Sequence, residues 1–283
     1  MTSIQFDINE PDFNLVHKAS EGVWTYLTQF TFMGRVPIGN RSTMFLIPHL
    51  QSLVIVNPAE LSAELVDQIK AVEKETDAKV RYLLSPGDWH YLFIGAYLKH
   101  FDKAKAYVPP GRIPFKNLDF PYETYDTTLS NPLPELLPTL LIFTFRGMCA
   151  IEDPTRKTER HEYLFYHPAT RALTSGDVLY YRQPLNAPTA SDDALTKIGQ
   201  VYGHVDFHQS RWKCIRNVAA LKWSVEEALK RFTEVERFIS PHGRVGNVKV
   251  GGVREDLVKI TEWLEDTPEG WKDVGPQFVI STL

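Results

Sequence analysis

The chain has 283 residues, 43% of them hydrophobic and 23% charged, and carries a net charge of −4 with no basic block. Such a composition can bury a large core and excludes intrinsic disorder, and without a concentrated cationic face nucleic acid is excluded as a partner. The longest apolar stretch, around residues 136–145, is too short and too interrupted by proline to cross a bilayer, so no membrane partner is expected.

The first residues show no basic segment followed by an apolar run, so no secretory signal is expected. The cysteines are Cys149 and Cys214, far apart in the sequence. They read as reduced thiols of a cytoplasmic protein rather than as a disulfide. With neither repeats nor a low-complexity linker, one domain over 1–283 is expected, with irregular excursions at about 112–138 and 183–210.

Residues 43–47 and 53–56 are short β-prone runs separated by His49, Leu50, Gln51 and Ser52, the pattern of a hairpin. Asn57 then reads as an N-cap, Pro58 as the first helical residue and Glu60 as an early acidic one. Leu61, Leu65, Ile69 and Val72 follow at helical spacing, which predicts a helix over 58–75. Residues 80–84 form a nearly continuous apolar run suited to a buried strand. It stops at Ser85, Pro86, Gly87, Asp88, Trp89 and His90, with Asp88 placed to cap a helix over 91–99. A strand over 104–108, closed by Pro109, Pro110 and Gly111, completes a strand–helix–strand alternation that implies an α/β architecture.

The stretch 112–138 is rich in proline and aromatics and reads as an irregular surface excursion. Strand character returns over 140–145, and runs at 163–166 and 172–174 flank a turn at Pro168, Ala169, Thr170 and Arg171. Ser175, Gly176 and Asp177 lead into a strand over 178–181. After the second excursion, Ser224 with Glu227 forms a capping box that predicts a helix from there to about 236. A strand over 237–239 runs into Ser240, Pro241, His242 and Gly243, and an amphipathic helix over 254–264 follows.

Three of these places share one design: an apolar strand ends directly at Asp88 and His90, at Asp177, or at His242. Strand ends are where α/β proteins build sites, because the strands are rigid and the following loops project side chains into a shared crevice. Imidazole nitrogen and carboxylate oxygen suit zinc, iron or manganese. Each residue also has an ordinary role open to it: Asp88 as a helix cap, Asp177 as a turn residue, His242 as a loop histidine. His204, Asp206 and His208 lie within five residues of one another, as a second metal-binding group or a solvated loop. The glycines at 243, 246, 251 and 252 do not follow a nucleotide-loop pattern, and neither a G-x-S-x-G elbow nor a P-loop lysine motif occurs. Trp89, beside His90, reads as core or as a wall of a substrate cleft.

The order of these motifs, from about residue 43 to 264, resembles the metallo-β-lactamase superfamily. Leu173, Thr174, Ser175, Gly176, Asp177, Val178 and Leu179 look like that family's strand-Gly-Asp element, whose aspartate bridges two metals. Ser240, Pro241, His242 and Gly243 look like its last ligand segment. The first metal motif departs: where the family has H-x-H-x-D-H, this chain has Pro86, Gly87, Asp88, Trp89, His90 and Tyr91. Both leading histidines are missing and His90 falls where the aspartate would lie. The family's Gly-His element has no counterpart near Arg146, Gly147 and Met148, and His161 beside Glu162 stands as a substitute ligand. The chain is similar to a divergent branch in which a Pro-x-x-x-His loop replaces the full motif.

The resemblance implies a four-layer αβ/βα sandwich and one divalent metal, Zn²⁺ or Fe²⁺, on His90, Asp177 and His242, with His161 as a further candidate. Three ligands and an open position satisfy one catalytic metal rather than two. The function expected is hydrolysis of a small-molecule ester, lactone or thioester by metal-bound water, with His90 and Asp88 as the catalytic residues and Asp88 as general base or extra ligand. Two readings compete with it: a metal-free descendant acting as a binding protein, and a non-haem iron oxygenase or lyase in the same cleft. Substrate, pathway and oligomeric state are open at this level.

Overall fold

Near-continuous apolar runs make the central strands of the first sheet apolar on both sides and commit both faces to packing. In a computed structural model of the protein the described residues are 13–32, 36–110, 118–149, 159–181, 205–207, 216–243 and 248–265. The first half runs β1 (His17–Ser20), β2 (Val23–Thr28), a short hairpin of β3 (Thr31–Phe32) and β4 (Val36–Pro37), β5 (Asn40–Ile47), β6 (Ser52–Val56), α1 (Ala63–Thr76), β7 (Lys79–Leu84), α2 (Ile94–Leu98), β8 (Lys105–Val108) and β9 (Glu123–Thr124). Seven of these strands form one sheet in the order β1-β2-β5-β6-β7-β8-β9. It is antiparallel from β1 to β6 and parallel from β6 to β9. The helices fall where parallel neighbours require crossovers: α1 between β6 and β7, and α2 between β7 and β8.

The second half runs β10 (Leu141–Cys149), β11 (Glu159–His167), β12 (Ala172–Ser175), β13 (Leu179–Tyr180), β14 (Asp206–Phe207), α3 (Val218–Arg231), β15 (Arg237–Ile239), β16 (Val248–Val250) and α4 (Val253–Glu265). Its sheet has the order β10-β11-β12-β15-β16, with β12 and β15 parallel and the other neighbours antiparallel. β13 and β14 pair separately.

The burial pattern sorts these elements into four layers. On β6, Leu53 and Ile55 pack with Leu65, Ile69 and Val72 of α1. Val54 and Val56 face the other way and meet Tyr163 and Phe165 of β11 and Ile239 of β15. On β11, Leu164 and Tyr166 turn outward to Leu221, Val225 and Ala228 of α3 and Leu257 and Ile260 of α4. The architecture is therefore helices, sheet, sheet, helices: the expected αβ/βα sandwich, with strands buried on both faces.

The hairpin at 43–56 and the strands predicted over 80–84, 104–108, 140–145, 163–166, 172–174 and 237–239 are all present, extended by a few residues where the sheet allows. Four expectations change. Helix α1 begins at Ala63, capped by Ser62, whose hydroxyl accepts from Leu65 N at 3.2 Å. Asn57 is instead a left-handed residue at φ +56° whose side chain is used elsewhere. Helix α2 starts at Ile94 with Phe93 as its N-cap, so Asp88 does not hold the N-cap position of that helix. Helix α3 starts at Val218 with Asn217 as its cap, placing Ser224 in its interior, and ends at Arg231. The described part of the 112–138 excursion is no mere surface chain: Tyr125, Leu133 and Leu136 are buried in the layer between the sheets. Most of 183–210 lies outside the described residues, as does Cys214, whereas Cys149 is buried. Among the described residues, no helix is long and apolar enough to cross a membrane.

Candidate functional site

The loops that follow β7, β12 and β15 converge. His90 comes from the first, Asp177 from the second and His242 from the third, and one ligand atom from each lies within 4.8 Å of the others. All three side chains are almost wholly shielded from water. The two rings are tilted against each other with centroids 5.3 Å apart.

The surroundings fix both imidazoles in one orientation. Asn57 Nδ2 donates to Asn40 Oδ1 and to the Arg41 carbonyl, each at 2.8 Å, which turns Asn57 Oδ1 towards His90 Nδ1 at 2.6 Å. An amide oxygen only accepts, so His90 Nδ1 carries the proton. His242 Nδ1 likewise donates to the Gly39 carbonyl at 2.7 Å. The Nε2 atoms of both rings meet one atom: Asp177 Oδ1 lies 3.2 Å from His90 Nε2 and 3.1 Å from His242 Nε2. Burial pushes His90 below the ordinary imidazole range, an effect that Asp177 only partly opposes, so its neutral form is favoured. His90 Nε2 is buried and makes no hydrogen bond. Two imidazole nitrogens and a carboxylate oxygen around one point are the donor set of a divalent ion, each imidazole being braced through its far nitrogen.

The brace at His242 comes from a close fit between loops. Gly243 N donates to the Ile38 carbonyl at 2.7 Å and Arg41 N to the Pro241 carbonyl at 2.8 Å. Gly39 has φ +65°, and a Cβ there would sit 2.6 Å from the Gly243 carbonyl oxygen, so only glycine fits. Tyr180 donates its hydroxyl proton to Asp177 Oδ1 at 2.7 Å and stacks on His242 with centroids 5.9 Å apart. Phe30 covers His242 at 6.5 Å and meets Phe93 edge-on.

Asp177 has a second side. Its Oδ2 accepts from Arg160 Nη2 at 3.2 Å, and the same nitrogen lies 2.6 Å from Glu162 Oε1. Asp88 Oδ2 approaches the Arg160 guanidinium at 3.8 Å. Asp88 thus sits beside the cluster as a partner of Arg160, outside the three-donor group. His161 lies between Arg160 and Glu162 on β11, so alternation turns it to the opposite face, where it neighbours Pro110, Arg146 and Glu159. Among the described residues, the group able to hold an ion is His90, Asp177 and His242. His204 and His208 lie outside the described residues, and Asp206 pairs with Tyr180 in the β13–β14 ladder. Trp89 is 38% exposed beside His90, in keeping with a cleft wall.

The sequence did not point to Asn57, Gly39, Tyr180 or Arg160. The hint available was Gly176-Asp177 followed three residues later by a tyrosine in a short strand.

No protein-family model matches the sequence, nor does any curated protein. Among solved structures the likeness is to metallo-β-lactamases. One from Erythrobacter litoralis, with β-mercaptoethanol in its active site, is 15% identical at a TM-score of 0.54, over 89% of this chain and 96% of that one. FIM-1 from Pseudomonas aeruginosa, in its mono-zinc form, is 15% identical at 0.52, over 89% and 95%. One from Hirschia baltica is 14% identical at 0.50, over 93% and 99%. The chain has the metallo-β-lactamase fold.

Proposed function

We propose that this protein is a metal-dependent hydrolase in which His90, Asp177 and His242 hold one divalent ion, Zn²⁺ or Fe²⁺. The observation that carries the reading is the pair of braced imidazoles, whose Nε2 atoms converge on one carboxylate oxygen while His90 Nε2 makes no hydrogen bond. When bound, such an ion supplies a water of lowered pKa and polarises the oxygen of an acyl group. The protein residues do the rest. Asn57 and the Gly39 carbonyl hold the rings in the ligating tautomer, and Tyr180 holds Asp177. Phe30 stacks on His242 and meets Phe93 edge-on, apolar surface that suits the body of a small ester, lactone or thioester. Asp88, expected as general base or extra ligand, lies 3.8 Å from the Arg160 guanidinium and outside the three-donor group.

The test is elemental analysis of protein purified without added metal, repeated on His90→Ala and His242→Ala. The expected result is one equivalent of metal in the wild type, lost from both variants, with hydrolysis of apolar esters or lactones that stops on chelation and returns on resupply. Iron accompanied by oxygen uptake would move the assignment to oxygen chemistry, for which two histidines and a carboxylate also serve. No metal, with a Tm indifferent to chelation, would overturn the reading in favour of a binding protein.

A further inference from the structure

The carboxylate of Asp177 divides its two oxygens between two partners. Oδ1 faces the histidine pair, while Oδ2 faces Arg160. Arg160 belongs to β11, and its side chain is only 2% exposed. Three carboxylates from three different segments surround it: Asp88 after β7, Glu162 two residues along β11, and Asp177 after β12.

The space for this arrangement is built into the backbone. A Cβ on Gly87 would meet the Glu162 carboxylate at 2.5 Å, and a Cβ on Gly176 would also clash with it, so the two loops leave room for that carboxylate alone. Tyr163 N donates to the Pro86 carbonyl at 2.9 Å and ties β11 to the same loop. A guanidinium never loses its charge in a protein and presents several N–H groups in a plane, so it can satisfy several carboxylates at once. Asp177 therefore bridges two positions that each call for positive charge. One has imidazole nitrogen donors and suits a metal; the other already contains a cation belonging to the protein.

We propose that the Arg160 guanidinium is the built-in second cation of this centre, held between Asp88, Glu162 and Asp177 and limiting the centre to a single metal ion. Its charge sits where a second ion would otherwise gather those carboxylates, and it holds Asp177 Oδ1 towards the histidines. Arg160 is thus a positioning residue that acts through Asp177. The single-ion count rests on the function proposed above; the occupation of the second position by Arg160 does not.

The experiment is equilibrium dialysis of the full chain against Co²⁺, an ion that accepts both nitrogen and oxygen donors, with bound metal counted in the wild type and in Arg160→Ala. One equivalent in the wild type and two in the variant are expected, since removing the guanidinium leaves three carboxylates around an open cation position. A merely structural arginine would not raise the count. Two equivalents in the wild type, or no gain in the variant, overturn the inference. None in the wild type and one in the variant would uphold the role of Arg160 while removing the proposed metal function. If Arg160→Ala does not fold, the pair Arg160→Ala with Glu162→Gln, which removes one buried charge of each sign, is counted in its place with the same expectation.

Discussion

Asn57 shows how one residue type serves two grammars. Before a proline and a helical repeat it reads as an N-cap, yet its amide spends both hydrogens on Asn40 and Arg41 and its oxygen on His90. Losing an outer-shell partner of a metal-bound imidazole commonly costs roughly 10–100-fold in metal affinity. Asn57→Ala should therefore weaken Zn²⁺ or Co²⁺ binding by about that factor, read by competition with a chelating dye. Asn57→Asp, which keeps an acceptor for His90 Nδ1, should retain more of the affinity. His161→Ala should leave both affinity and stoichiometry unchanged, because alternation along β11 turns its ring away from Asp177; a tenfold loss would return His161 to the ligand set. His90, Asp177 and His242 were legible because each interrupts an apolar strand at its end. Arg160, Tyr180 and Gly39 were not, since their roles are set by partners distant in sequence, and no local pattern encodes such a partner.

At the scale of elements, strands were easier to read than helix starts. A strand announces itself by apolar runs and alternation, whereas a cap depends on which donor a side chain meets. Ser224 with Glu227 has the spacing of a capping box, but Ser224 accepts from Arg146 N of β10 at 2.9 Å and Glu227 pairs with Arg231 at 2.8 Å. The true cap, Asn217, sits where β10 bulges onto the helix. Gly147 there has φ +92°, and a Cβ would lie 2.6 Å from both Asn217 O and Leu221 N. Gly147→Ala should cost about 2–4 kcal/mol, combining left-handed backbone strain with overpacking. Gly251 is also left-handed, at φ +77°, but a Cβ there would meet nothing within 4 Å. Gly251→Ala should then cost only the strain, roughly 1–2 kcal/mol. Urea unfolding of the two variants separates the contributions, and equal losses would refute the packing term. The strands β1, β2 and β16 went unread because each is short or mixes polar with apolar residues.

For the whole molecule, the layer order was legible from strand–helix alternation together with the family-like order of motifs. The 112–138 stretch was misjudged because proline content speaks for irregular backbone, not for exposure: Tyr125 and Leu136 fill the space between the sheets. That shared layer, and the placement of His90 on the first sheet's side with Asp177 and His242 on the second's, lead us to propose a single domain that unfolds in one transition. Binding to the native state alone stabilises by RT ln(1 + [L]/Kd), about 2.7 kcal/mol at a hundredfold excess over Kd. For a chain of 283 residues, with about 2.1 cal/mol/K of unfolding entropy per residue, that corresponds to a Tm higher by roughly 4–5 °C. Scanning calorimetry of the zinc-loaded protein should show one peak that moves down by that amount on chelation, while the His90→Ala peak stays in place. Two peaks, of which metal moves only one, would mean that the sheets unfold separately and that the ion bears on one of them. A single shifted peak requires the opposite, because an ion with ligands from both sheets is released only when the two part.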